Sequence, residues 1–424
     1  MKKFFLITIL FNLTTQAQQV STLAGSIQGY ADGTGSQASL NAPRGIAIDA
    51  GGNLYFCDTQ NNRIRKVTQS GIVTTIAGST QGYADGIGTS AQFYNPIGIA
   101  LDSNGNIFIA DTSNNRIRKI TPDGVVSTYA GSTVGDSDGI GSQVHFQSPN
   151  SVTVDKSGNV YVCDGYNQKI KKIALNGQVT TIAGSTEGYA DGIGTAAKFY
   201  YPFNIFLDTH GVLYIADNGN YKIRKMTIDG TVSTVAGSTL GYQDGLASTS
   251  QFFQPIGLTV DLDGNIYVGD RFNYKIRKIS PNGIVSTVAG SSQGFADGFG
   301  NTAKFNLAEA LVTDQYGTLY VTDANNYRIR KITLPPLNVE DNNLSTLNMK
   351  IYPNPTHKIL NIELTNMLYL FSQIVITDIR GKKLFSQYLN FKSVSLDMSN
   401  YSKGIYFVSL IGKNNTISQR FILN

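Results

Sequence analysis

Short stretches in which apolar and polar residues alternate follow one another along most of the chain. In the first of a series of similar segments they cover residues 45–49, 53–57, 63–68 and 73–77, and they are rich in Val, Ile, Tyr and Thr. This alternation predicts β-strands. Pairs such as Asp123-Gly124 fall between the third and fourth strands, where a tight hairpin favours residues that tolerate positive φ. No segment has a sustained period of 3.6 residues, so the pattern disfavours helices.

The strand pattern repeats, and aspartates mark the repeat most clearly. Six of them recur at a constant spacing of 53 residues: Asp58, Asp111, Asp164, Asp217, Asp270 and Asp323. A second series has the same spacing: Asp49, Asp102, Asp155, Asp208, Asp261 and Asp314. Four strands per unit at a period near 50 residues are typical of a β-propeller blade. We interpret the repeated aspartates as scaffold residues that accept turn N–H groups or pair with the arginines that follow them.

The phase of the repeat predicts a closed ring. The chain enters on a fourth strand at residues 20–25 and leaves the repeats after a third strand at residues 327–332. Each strand type therefore occurs six times only if the first segment completes the last blade. An open β-solenoid is the alternative, but it would need polar caps at both ends. We predict an all-β fold, with a six-bladed β-propeller of 53-residue, four-stranded blades followed by a small β-sandwich domain.

The segments Pro-x-Gly-Ile-Ala-x-Asp, Asn-x-Tyr-x-Ala-Asp and Asn-Arg-Ile-Arg-Lys-Ile give the repeats a family resemblance. Residues 18–333 resemble the NHL-repeat six-bladed propellers. The resemblance implies the fold, whereas such propellers include binding modules, sensors and a few enzymes.

The first 17 residues have the features of a secretory signal peptide. Lys2 and Lys3 precede an apolar run at residues 4–13, which is too short to cross a bilayer and gives way to polar and small residues. We predict cleavage after Ala17. An uncleaved N-terminal membrane anchor is the alternative interpretation.

The C-terminal segment lacks the repeat. A proline-containing polar linker is predicted at residues 334–348 and a separate domain at residues 349–424. That domain resembles the C-terminal sorting domain of the type IX secretion system, which implies the outer-membrane translocon as a partner. An adhesive Ig-like domain is the alternative. The sorting motif that carries the resemblance consists of Tyr352, Pro353, Asn354, Pro355, Gly381, Gly404 and Tyr406.

The charge distribution and the cysteine positions disfavour nucleic-acid binding and a disulfide bond. The formal charge of +5 falls to +3 once Lys2 and Lys3 are removed with the signal peptide, and the basic segments recur in every blade beside acidic ones. No concentrated basic face results, so we expect no nucleic-acid partner. Cys57 and Cys163 lie two blades apart, too far for a disulfide.

Positions that depart from the repeat are the candidate site residues, because the symmetry of the ring does not require them. The position after the proline that opens the first strand of each blade stands at the mouth of the central channel. Around this mouth we predict a ligand pocket. The alternative is sequence drift at an exposed rim, with Arg44 and Glu309 forming a weak ion pair. The candidate residues are Arg44, Asn150, Ser151, Phe203, Asn204 and Glu309.

The sequence contains few residues that could form a catalytic or metal-binding site. The three histidines are dispersed, which disfavours zinc, and calcium has only the weak candidate ligands Asp136 and Asp138. No nucleophile, base and orienting residue form a set. We therefore expect no enzymatic activity, no resident cofactor and a monomer.

The combined features predict an exported binding module for a protein, peptide or glycan. Sec export followed by type IX secretion would deliver it to the outer-membrane surface or the medium. The competing hypotheses are a metal-dependent hydrolase or lyase with its site in the channel, and a structural surface or adhesion component.

Overall fold

The computed structural model describes residues 18–333, 348–365, 373–379, 381–388, 393–411 and 416–424. The predicted signal peptide at 1–17 lies outside the described residues, as does the predicted linker apart from its last position. The chain divides into two compact units, Met1–Pro335 and Pro336–Asn424. No helix in these described ranges is long and apolar enough to cross a membrane.

The first unit is a six-bladed propeller. Each blade is an antiparallel sheet whose strands follow one another outwards from the channel. The inner strands are Pro43–Ile48, Pro96–Leu101, Pro149–Val154, Pro202–Leu207, Pro255–Val260 and Ala308–Thr313. The second strands are Leu54–Asp58, Ile107–Asp111, Val160–Asp164, Leu213–Asp217, Ile266–Asp270 and Leu319–Asp323. The third strands are Arg63–Val67, Arg116–Ile120, Lys169–Ile173, Lys222–Met226, Lys275–Ile279 and Arg328–Thr333.

The fourth strand of the first five blades comes from the same repeat, whereas that of the sixth comes from the start of the chain. In blade order they are Ile72–Ala77, Val125–Ala130, Gln178–Ala183, Thr231–Ala236, Ile284–Ala289 and Gln19–Ala24. The strand Gln19–Ala24 pairs with Arg328–Thr333 in the register Val20 to Ile332. The predicted ring closure is therefore confirmed, and it provides a partner for the third strand of the sixth blade.

Each blade also has a short fifth strand that the alternation pattern did not indicate. This two-residue strand belongs to the long loop before the inner strand and pairs with the outside of the fourth strand. The six are Gly33–Thr34, Gly86–Ile87, Gly139–Ile140, Gly192–Ile193, Gly245–Leu246 and Gly298–Phe299. The four predicted strands of each blade are confirmed, and the fifth lies outside the pattern because two residues are too few to show an alternation.

Short 3₁₀ helices complete the blades. One follows every second strand, at Thr59–Asn61, Thr112–Asn114, Gly165–Asn167, Asn218–Asn220, Arg271–Asn273 and Ala324–Asn326. Another follows the fifth strand in five blades, at Gly35–Gln37, Gly88–Ser90, Gly141–Gln143, Gly194–Ala196 and Gly300–Thr302.

The propeller core lies between neighbouring blades. Apolar side chains of adjacent blades share buried clusters, as Phe108 and Ile117 of the second blade do with Val160 and Val162 of the third. The six inner strands contact one another around the ring. The residue after the repeated aspartate lies against the inner strand of the next blade, as Thr59 does beside Pro96.

The second unit is a small β-sandwich, as predicted. Its first sheet contains Asn348–Tyr352, Ile359–Thr365 and Ser393–Asp397, and its second contains Lys383–Tyr388, Gln373–Asp378, Gly404–Ile411 and Thr416–Leu423. Leu360 and Ile362 of the first sheet share one buried core with Ile374, Val408 and Phe421 of the second.

Candidate functional site

The repeated aspartates form a buried ionic network that is equivalent in most blades. Asp58 accepts hydrogen bonds from the Asn41 N–H at 2.7 Å and from Arg65 Nη1 at 2.6 Å. Arg65 is fully buried, and its Nη2 also reaches Asp32 on the long loop at 2.7 Å. Burial raises the pKa of Asp58, while hydrogen bonds from Asn61 and the Arg65 charge oppose the rise. These residues hold the strands and the loop together, which agrees with their scaffold interpretation.

The third blade departs from this network, and its departure involves both calcium candidates. Lys171 replaces the buried arginine, and its Nζ lies 3.8 Å from Asp164, farther than any equivalent arginine nitrogen from its aspartate. Nζ also lies 3.1 Å from both Asp136 and Asp138. Asp136 contacts Lys169 as well. The two candidate calcium ligands therefore neutralise lysines, and the described ranges contain no group of three acidic, His or Cys side chains able to hold a metal.

The charged residues of the channel mouth pair differently from the sequence prediction. Glu309 forms its ion pair with Arg271, with Nη2 and Oε1 2.9 Å apart, and not with Arg44. Arg271 extends from the end of the second strand of the fifth blade towards the inner strand of the sixth, so the pair bridges two blades. The interpretation as an exposed rim is also wrong for Glu309, which is 3% exposed, and for Asn150, which is 2% exposed.

Two tyrosines complete the polar side of the mouth. Tyr166 is 55% exposed, and its ring meets that of half-buried Tyr201 edge to face at 4.9 Å. Burial raises the pKa of Tyr201 to about 12 and Tyr166 adds to the rise, while Asn150 and Arg44 lower it. Arg44 belongs to the first blade and Tyr201 to the loop entering the fourth. Groups from opposite sides of the ring therefore act on one hydroxyl.

An apolar cluster, composed of Ile97, Phe203 and Ile256, lies among these polar groups. Tyr201 packs against it, with its ring centroid 5.9 Å from that of Phe203. The cavity within the channel has a volume of about 220 Å³ and is lined by the inner strands. The mouth therefore combines an apolar surface with charged and amide groups, as ligand pockets commonly do.

Ser151 and Asn204 line the same cavity, but their polar atoms connect neighbouring blades. Asn204 Nδ2 donates to Ser151 Oγ at 3.3 Å, and Asn204 Oδ1 accepts from the Leu258 N–H at 3.3 Å. The position is glycine in three other blades, at Gly45, Gly98 and Gly257, and alanine in the sixth, at Ala310. A Cβ on Gly45 would lie 2.1 Å from the Ile97 carbonyl oxygen. These two predicted site residues are therefore inter-blade links.

Unpaired polar atoms concentrate at the mouth. Among the described residues, ten buried side-chain polar atoms lack a hydrogen-bond partner, and five of them belong to Arg44, Asn150, Arg271 and Glu309. Arg271 Nη2 and Glu309 Oε1 are close enough for an ion pair, but their geometry is not that of a hydrogen bond. Asn150 lies beside the Tyr201 hydroxyl and lowers its pKa, yet its Nδ2 makes no hydrogen bond of good geometry. Buried polar groups are normally satisfied, so such a concentration indicates a place where other groups bind.

Three mouth residues were missed in the sequence, namely Arg271, Tyr166 and Tyr201. A signal for Arg271 exists at the position after each repeated aspartate, which reads Thr59, Thr112, Gly165, Asn218, Arg271 and Ala324. Thr59, Thr112 and Asn218 donate to a carbonyl of the next blade's inner strand. Gly165 and Arg271 do not form this hydrogen bond to the next blade. A Cβ at Gly165 would lie 2.3 Å from Asn150 Nδ2, so the glycine leaves space for this amide.

The sorting-motif residues stabilise turns and the last strand of the sandwich. Asn354 Oδ1 accepts from the Ile422 N–H at 2.9 Å. Gly381, with φ of 79°, closes a turn in which its N–H donates to the Asp378 carbonyl. Gly404 begins a strand on which Tyr406 stacks against Phe421 at 5.5 Å.

Family models match both units. Residues 93–120 and 146–173 match the NHL repeat, residues 26–85 match the Teneurin NHL domain, and residues 350–424 match the secretion system C-terminal sorting domain. The chain carries NHL repeats and a C-terminal sorting domain. The sorting domain directs type IX secretion to the cell surface or outside.

Curated relatives contain the propeller as one part of longer proteins. The chain is 30% identical to Protein SUPPRESSOR OF QUENCHING 1, chloroplastic, from Arabidopsis thaliana, covering 75% of this chain and 32% of the relative. It is 28% identical to NHL repeat-containing protein 2 from Bos taurus, covering 69% of this chain and 46% of the relative. The chain thus spans less than half the length of these relatives.

Solved structures from Bacteroides thetaiotaomicron support the fold. One protein of unknown function is 25% identical with a TM-score of 0.58, covering 75% of this chain and 76% of the other. An auxiliary nutrient binding protein is 17% identical with a TM-score of 0.59, covering 74% and 76%. At such identities the likeness concerns the propeller fold alone.

Proposed function

We propose that this protein is an exported binding module whose NHL propeller captures a ligand at the channel mouth. The observation that carries the proposal is the concentration there of buried polar atoms without a well-aligned hydrogen bond, which belong to Arg44, Asn150, Arg271 and Glu309. A buried polar group without a partner costs about 1–3 kcal/mol. Ligand groups that pair with these atoms would recover that free energy on binding.

Binding without catalysis fits the composition of the mouth. Glu309 is the only acidic residue among the cavity-lining residues, and Arg271 neutralises its charge. A general base needs a reacting partner within hydrogen-bond reach, and no nucleophilic or second acidic side chain of the described lining lies beside it. In this proposal the protein has no enzymatic role and acts as a monomer.

The proposed route of delivery is Sec export through the signal peptide at residues 1–17, followed by type IX secretion. Cleavage after Ala17 would leave Gln18 as the first residue. Its carbonyl accepts a hydrogen bond from the Gly300 N–H at 2.6 Å, and the closing strand begins at Gln19. The proposed cleavage therefore preserves the whole closing strand.

The test compares the secreted protein with a double variant, Arg44→Ala/Glu309→Ala, against immobilised glycans, peptides and cell-envelope fractions. We expect at least one interaction to weaken ~10-fold or more, equivalent to about 1.4 kcal/mol. Tyr316→Ala is the control, because Tyr316 is exposed on a turn at the opposite end of the inner strands. If every interaction of the wild type survives in the double variant, the mouth is not the binding site.

A further inference from the structure

The buried groups at the mouth that lack a well-aligned hydrogen bond include both donors and acceptors. Arg44 Nε, Asn150 Nδ2 and Arg271 Nε are donors, whereas Glu309 Oε1 and Oε2 are acceptors. We infer that the ligand is a neutral saccharide that inserts one terminal sugar ring into the mouth. This inference rests on the proposed function and specifies the ligand class for the same site.

The donor and acceptor balance favours hydroxyl groups. A hydroxyl donates one hydrogen bond and accepts others, so neighbouring hydroxyls of one ring serve an amide, a guanidinium and a carboxylate together. A ligand carboxylate pairs only with the donors and faces the buried charge of Glu309. A ligand ammonium pairs only with Glu309 and faces two arginines. Like charges in a desolvated site cost several kcal/mol, so each simple ion meets a penalty that a neutral polyol avoids.

The aromatic residues supply the second feature of a sugar site. Tyr166 presents 55% of its surface to solvent beside Tyr201, and Tyr201 packs against Phe203. An aromatic ring buries the C–H face of a pyranose, while the tyrosine hydroxyl at the ring edge stays available for polar contacts. Tyr201 packs against Phe203 of the cavity lining and lies close to Asn150, so one sugar ring can use the aromatic and the polar groups together.

The size of the cavity sets the length of the inserted group. Its volume of about 220 Å³ is below the ~300–1,000 Å³ of pockets that enclose drug-sized ligands. The cavity is therefore suited to a single ring, and further sugar units would lie over Tyr166 at the surface.

The experiment measures binding of the secreted full chain by titration calorimetry, with ligand-observed NMR to map the contacts. The probes are neutral hexose oligosaccharides, uronic-acid oligosaccharides and zwitterionic peptides, each at about 10 mM and about 500 mM salt. We expect a neutral oligosaccharide to bind with a Kd that changes less than ~2-fold with salt, because screening acts only on charges. Its terminal ring should show the strongest NMR contacts.

Variants then connect the binding to the mouth. Tyr166→Ala and Glu309→Gln should each weaken the oligosaccharide ~10-fold. Tyr316→Ala, which removes a tyrosine with a closely matched exposure of 56% at the opposite end of the channel, should leave the Kd unchanged. Tyr166 is exposed, so its replacement tests the site even if Glu309→Gln impairs folding.

The outcomes separate the two proposals. Salt-sensitive binding of a uronate or a peptide that Tyr166→Ala abolishes would overturn the saccharide inference and leave the mouth as the binding site. If no probe binds in a way that depends on Tyr166 or Glu309, neither the inference nor the proposed function survives.

Discussion

Pairing of individual charges explains how each blade of this propeller tolerates buried ionic groups. Arg65 and Asp58 are both fully buried, and Arg65 bonds two carboxylates on different elements. Removing one partner of a buried pair typically costs about 3–5 kcal/mol, since the other charge is left uncompensated. The recurrence of these aspartates and their basic partners is therefore explained by stability, without a role in ligand binding.

The third blade shows what a weaker pair does to a carboxyl group. Burial raises the pKa of Asp164 to about 7, with Asn167, Gln147 and Lys171 opposing the rise. The folded state therefore binds a proton more tightly than the unfolded state, whose aspartate has a pKa near 3.8. The favourable contribution of protonated Asp164 to the free energy of unfolding is fully present below pH ~4 and is lost as pH rises towards 7.

At the residue scale we predict that Lys171→Arg stabilises the protein at pH 8. An arginine can reach Asp164 as the equivalent arginines reach their aspartates, at 2.5–2.8 Å, and would lower its pKa. We expect a gain of ~1–2 kcal/mol in unfolding free energy at pH 8, shrinking towards pH 4. Urea denaturation at both pH values measures it.

The control for this substitution is Lys172→Arg, the adjacent lysine, whose Nζ lies 5.7 Å from the Tyr161 ring centroid. It should change neither value. A gain for Lys171→Arg that is equal at pH 4 and pH 8 would contradict the role given to Asp164.

Aromatic residues on the long loops show how an element can be stabilised at the surface. Tyr30 is 66% exposed, and the Arg63 guanidinium lies 4.8 Å from its ring centroid. Phe295 and Arg328 repeat the arrangement at 3.8 Å in the last blade. Such a cation–π contact contributes about 0.5–1 kcal/mol at exposed sites. In five blades such a contact fastens the long loop to the third strand of the same blade. The third blade uses the Asp136–Lys169 ion pair instead.

The closing strand is the element on which the ring depends. Val20 is 1% exposed and packs in one cluster with Leu319, Val321 and Ile332 of the sixth blade. We predict that Val20→Asp lowers the unfolding free energy by more than ~3 kcal/mol, because it buries an unpaired charge. The freed edge of the third strand should promote association.

Chemical denaturation and size-exclusion chromatography test this prediction. Gln19→Asp introduces the same side chain at an exposed position of the same strand and should be nearly neutral. Equal stability of the two variants would show that the closing strand contributes little to the ring.

In the molecule as a whole, the proposed binding site and the sorting domain belong to different units. Deleting residues 350–424 removes the sorting domain, so we predict that the propeller accumulates in the periplasm. Cell fractionation and immunoblotting against the propeller locate it. Fusing residues 350–424 to a periplasmic passenger should have the opposite effect and export it. Unimpaired secretion of the truncated chain would contradict the sorting role.

The architecture of this protein follows from the residue pattern along the chain. The 53-residue spacing and the alternating strands predict blades, and the phase at the two ends predicts closure, because strand order is a property of the chain. The two-residue edge strand at Gly33–Thr34 escaped detection, since a pattern needs more residues than this strand contains.

The set of side chains that meet at the channel mouth, by contrast, is apparent only in the folded ring. Closure places Arg44 and Glu309 in adjacent blades, but Glu309 pairs with Arg271, which reaches across from the other side. Ser151 and Asn204 likewise bond each other across two blades. These pairings depend on side-chain reach and direction across blade interfaces, which residue spacing along the chain does not specify.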